Sequence, residues 1–205
     1  MNLFTLDNLV LLLTGLVAVY LIWRFWSRYS KGKAVYDLYY MMSFAVLFVS
    51  GVLLILKGYN ILGTPFVLTV ASLIPLGISI GLVRQFFPQY KRPYMWFALI
   101  GFLAIALTSF VGMPTLRKVA VPVFHGVAGL VIFLGPFFAK DAGKGFWWVG
   151  IGGVLIGLGG IALAFLSVGS QLLFFSQSFV LTILAPLLLF MTLAFTFGFV
   201  KDIKA

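Results

Sequence analysis

Seven mainly apolar runs separated by short connections dominate this sequence. An α-helix needs roughly 20 such residues to cross the hydrocarbon core of a bilayer. Lipid offers no partner for an unpaired amide, so runs of this kind are expected to be helical. They lie at about Asn8–Trp23, Leu38–Leu56, Leu62–Val83, Tyr94–Gly112, Val119–Ala139, Phe146–Leu166 and Ser178–Val200. The expected class is an all-α integral membrane protein, a single seven-transmembrane-helix bundle over residues 1–205. Composition agrees: 63% of residues are hydrophobic and 9% charged, against about 45–50% and about 25% in soluble domains. So few charges could not cover a water-facing surface.

The charges that remain read as topology. Fourteen Lys and Arg face four acids, Asp7, Asp37, Asp141 and Asp202, for a net charge of +10. Arg24, Arg28, Lys31, Lys33, Arg84, Lys91, Arg92, Lys140, Lys144, Lys201 and Lys204 all fall on one side of a seven-span arrangement. Lys57, Arg117 and Lys118 fall on the other. The positive-inside rule then places the N-terminus outside and the C-terminus in the cytoplasm, in a multi-pass protein of the cell membrane. The basic balance therefore needs no nucleic-acid partner. Met1–Asn8 carries Asp7 and no cation, so the first run is expected to be a retained anchor rather than a signal peptide. Aromatic residues at span ends, among them Trp23, Phe25, Trp26, Tyr40, Trp96 and Trp147, are expected to form an interfacial belt.

What the runs lack excludes much chemistry. With neither Cys nor Glu, thiolate metal sites cannot form. One histidine cannot supply both axial ligands of a bis-histidine haem. The last run has no lysine before Lys201, so a retinal Schiff base has no anchor. Neither a metal nor a cofactor is expected. Catalysis lacks a paired base and nucleophile, so no enzyme activity is expected.

The remaining candidates are few. Asp37, at the inner end of the second run, is placed to accept hydrogen bonds from free helix N–H groups and to favour the positive end of the helix dipole. His125, the sole histidine, reads structurally as a neutral ring hydrogen-bonded to a neighbouring helix. It is also the best single functional candidate, as the near-neutral titrating group within a span. Gly153, Gly157, Gly160 and Ala164 share one helix face and are expected to allow close helix packing. Pro75 and Pro186 interrupt the third and seventh runs and free backbone carbonyls. Nearby Thr69, Ser72 and Thr182 supply hydroxyls that either repair the backbone or line a polar path. The tetrapeptides Phe66–Thr69 and Phe179–Thr182 match, which admits a parallel 3+1+3 repeat with broken helices at its interface.

The expected function is that of an accessory or scaffold subunit in a larger membrane assembly, with the lipid bilayer, other membrane subunits or a second copy as partners. The alternative is a carrier or channel for a neutral or lipid-like small solute, marked by a polar cavity that reaches the midplane beside Pro75 and Pro186. A third reading is a receptor-like sensor that signals through a separate partner.

Overall fold

A computed structural model describes residues 5–166 and 176–202 of the protein. Eight α-helices and two short 3₁₀ turns make up the regular structure, with no strand among the described residues. The helices are α1 (Leu6–Gly32), α2 (Val35–Lys57), α3 (Pro65–Ala71), α4 (Leu73–Phe86), α5 (Lys91–Phe110), α6 (Pro114–Phe138), α7 (Trp147–Leu166) and α8 (Gln177–Asp202). Six stretches are helical, long and apolar enough to cross a membrane, α3 and α4 counting as one, and α7 adds a shorter apolar one. This is a helical membrane bundle.

Several helices outrun their apolar runs. α1 continues past Trp23 to Gly32, so Arg24, Arg28 and Lys31 ride on helix. Long aliphatic cations are good helix formers and can reach toward water from a helix end. Lys33 then ends α1 in the left-handed region, at φ 52°, with its N–H bonded to the Tyr29 carbonyl. Gly58 ends α2 at φ 71°, where the lack of a Cβ removes the strain.

The third span is broken at Ser72. Thr64 caps α3 by accepting the Val67 N–H, and Pro65 sits in its first turn, where a missing N–H costs nothing. Three residues past the break, Pro75 leaves the Ala71 carbonyl without its helical donor. Pro122, Pro136 and Pro186 behave differently, lying inside uninterrupted helices. The expected pair of broken helices is therefore absent: α3–α4 is broken, and α8 runs on through Pro186.

Helices α1, α2, α4, α6, α7 and α8 close a ring of neighbours, with α5 packed outside against α3, α4 and α6. α4 is the most enclosed, buried continuously from Ile74 to Val83. Near the end of the bundle where α1 finishes, aromatic rings form the core. Phe25 and Tyr40 stack at 4.8 Å, Tyr40 and Phe199 lie 4.8 Å apart, and Phe25 meets Phe199 edge-on at 5.2 Å. Phe25 and Tyr40 are wholly buried, so they belong to this core and not to the belt expected from their position. Trp23, Trp26, Trp96 and Trp147 do face outward.

α7 uses glycine on two faces. Toward α6, a Cβ on Gly153 would lie 2.5 Å from the Phe133 amide nitrogen and 2.7 Å from the Ile132 carbonyl carbon. One turn on, Gly157 meets Gly129, whose own Cβ position is 3.0 Å from the Gly157 Cα. Toward α8, Gly152 faces the Phe195 ring and Gly159 faces Leu187. Such close approach lets dispersion and Cα–H contacts act where lipid removes the hydrophobic drive.

Candidate functional site

A cavity of about 120 Å³ lies between α2, the α3–α4 junction, α6, α7 and α8. Its wall is mostly aliphatic, with Leu47 and Leu53 from α2, Ile74 from α4, Ile156 from α7, and Leu184 and Met191 from α8. Pro75, His125, Gly160 and the hydroxyl-bearing Ser50 also line it. His125 stands about three turns into α6, roughly 16 Å along the axis from Pro114. Its ring occupies the space that Gly160 leaves bare, since a Cβ there would overlap the imidazole.

The His125 ring has no hydrogen bond to any described residue, and its Nδ1 is fully buried. The hydrogen bond to a neighbouring helix expected from the sequence is not made, because the ring faces glycine and aliphatic groups. Buried polar atoms are almost always paired, and leaving one unpaired costs about 1–3 kcal/mol. An unsatisfied imidazole in an apolar wall is therefore the chemically distinctive feature of the bundle.

Other sequence candidates fall around it or away from it. Ser72 and Thr69 are buried at the α3–α4 break, where the Ser72 hydroxyl donates to the Thr69 carbonyl at 2.7 Å. Thr69 Oγ1 is buried without a hydrogen-bond partner among the described residues. Thr182 is exposed near the start of α8 and donates to the Ser178 carbonyl at 2.8 Å. Pro186 is not part of the cavity wall, and that wall is mainly apolar rather than the polar one expected beside the two prolines. Gly153 and Gly157 lie against α6 as described, and the side chain of Ala164 lies outside the described residues.

The hydroxyls do not assemble into a path. Thr14, Ser79, Thr192 and Thr196 each donate to a carbonyl of their own helix, at 2.6–2.9 Å. Ser43 joins α2 to α4 by donating to both the Tyr39 and Leu73 carbonyls. These protons are spent on backbone, whereas Thr69 and Ser109 keep buried hydroxyl oxygens without a partner among the described residues.

A second cavity, of about 180 Å³, adjoins the first toward the 3₁₀ turn Tyr59–Gly63 and shares Leu62 and Leu163 with it. Tyr59, Asn60 and Gln177 give this one a polar rim. The Tyr59 hydroxyl donates to Asp7 Oδ2 at 3.1 Å. Partial burial, with the hydrogen bond to Asp7 and its negative charge, pushes the Tyr59 phenol up to about 12.

Asp37 sits far from both cavities, in the first turn of α2. Its carboxylate is fully buried and pairs with Arg28, with Nε and Nη2 at 2.7 and 2.6 Å from Oδ1. The Arg28 guanidinium also lies 5.3 Å from the Phe25 and Tyr36 ring centroids. Sequence reading gave Asp37 its helix terminus and missed this partner. No group of three His, Cys, Asp or Glu side chains that could hold a metal ion occurs among the described residues. No protein-family model, curated protein or solved structure matches the chain.

Proposed function

We propose that the protein is a carrier that holds a neutral, lipid-like small solute within a seven-span bundle, N-terminus outside and C-terminus in the cytoplasm. One observation carries this reading: an imidazole with no protein partner among the described residues stands in the wall of a mainly apolar cavity, with Ser50 as the other polar side chain there. A polar or charged solute fits poorly, since the cavity offers it almost no compensation for lost hydration. The charge partition supports the orientation, and it places the Tyr59 end of the bundle, with its polar-rimmed cavity, at the outer membrane face. The accessory-subunit reading is the second one, and the same experiment separates the two.

Native mass spectrometry of protein released gently from its own membranes tests the choice. The expected result is one small-molecule adduct per chain, absent from an Ala71→Phe variant whose ring fills the cavity from the α3 side. A chain that carries no adduct and flies instead with other proteins at fixed stoichiometry would favour the accessory subunit and overturn the carrier.

A further inference from the structure

We infer that the cavity solute is a ring-sized lipophile bearing a hydroxyl, which His125 recognises; this rests on the carrier reading above. Size is the first argument. An apolar cavity of about 150 Å³ is known to accept benzene, and the cavity here is about 120 Å³. It therefore has room for about one six-membered ring.

The second argument is hydrogen-bonding capacity. A neutral imidazole has one N–H donor and one bare nitrogen acceptor. Nδ1 is sealed from the cavity, so the solute meets Nε2; a hydroxyl can donate to that nitrogen when it is bare or accept from its N–H, so it suits either tautomer. A carbonyl satisfies only a protonated nitrogen, and an amine brings a charge that the aliphatic wall cannot solvate. His125 and Ser50 are the side chains of the wall that can hydrogen-bond, while Leu47, Ile74, Ile156, Leu184 and Met191 offer nothing to a further polar group.

Gly160 is the positioning residue. With no side chain, it lets the imidazole sit back against α7 and keeps ring volume free for the solute. Access also has a visible geometry. The polar-rimmed cavity of Tyr59, Asn60 and Gln177 shares Leu62 and Leu163 with the deep one. An amphiphile can thus exchange water contacts for apolar ones in two stages.

Equilibrium dialysis with radiolabelled phenol and benzene tests the inference, using full-length protein in nanodiscs with empty discs subtracted. Benzene is the more lipophilic of the two, so partition alone favours it. The expected result is saturable binding of both, with phenol about tenfold tighter than benzene. His125→Phe, which keeps a ring but no hydrogen bond, should abolish that preference, read as the ratio of phenol to benzene affinity. His125→Gln should restore part of it, and the wild-type preference stands as a readout even if one variant folds poorly. Equal binding of the two probes by wild-type protein would overturn the hydroxyl assignment while leaving the carrier reading intact. Failure of both to saturate above empty discs would overturn both.

Discussion

Asp37→Ala is expected to destabilise the protein by about 3–5 kcal/mol, the usual result of stranding one member of a buried ion pair. Asp37 has no exposed surface and Arg28 only 14%, so water cannot take over the role of the missing carboxylate. The loss spreads because the guanidinium also rests against Phe25 and Tyr36, and Phe25 opens the aromatic core that continues through Tyr40 and Phe199. Arg28→Ala should cost as much, through lost packing as well as lost charge. The Arg28→Met, Asp37→Leu double variant should recover most of the stability, since an apolar pair of similar volume often replaces a buried ion pair without loss. Thermal or denaturant midpoints of the purified variants measure this. A shift below about 0.5 kcal/mol for Asp37→Ala, the scale of an exposed pair, would show that the pair is hydrated.

Gly153→Ala should also be costly, by about 1–3 kcal/mol of overpacking, although alanine is the better helix former by about 1 kcal/mol. The reason is what the new methyl meets. At Gly153 it would strike the Ile132–Phe133 backbone of α6, which cannot turn aside. At Gly157 the nearest atom to a new Cβ is the Gly129 Cα at 3.7 Å, an ordinary contact. Gly157→Ala should therefore be close to neutral, whereas Gly157→Leu, with branches reaching past that contact, should weaken the α6–α7 pairing. Unfolding midpoints should rank Gly157→Ala above Gly153→Ala. The reverse order would mean that α6 and α7 pack in another register.

The helical membrane class could be read from the sequence because hydropathy over roughly 20 residues is a long-range, redundant signal. Glycine spacing on α7 was legible for a related reason: helical periodicity assigns residues to faces without knowing the neighbour. Which neighbour each face meets was not legible. Gly129 on α6, the counterpart of Gly157, has no periodic mark of its own. The Arg28–Asp37 pair was hidden differently, because hydropathy ended the first span at Trp23 and left Arg28 in an imagined loop. Extending α1 by helix propensity would have brought it within reach of α2. Prolines misled, since a membrane helix can carry one without breaking, as α8 does at Pro186. The cavity is a property of six helices and a 3₁₀ turn packed together, and few of its residues, such as Ser50, Pro75, His125 and Gly160, stand out from an aliphatic background.

Anomalous diffraction from crystals grown with bromobenzene would test the occupied-cavity account most directly, because bromine locates an apolar ring without reference to function. The account predicts a bromine peak inside the bundle, walled by His125, Pro75, Ile156 and Leu184, and its loss in Ala71→Phe. Peaks confined to the lipid-facing surfaces of the helices, with the space beside His125 vacant, would contradict it.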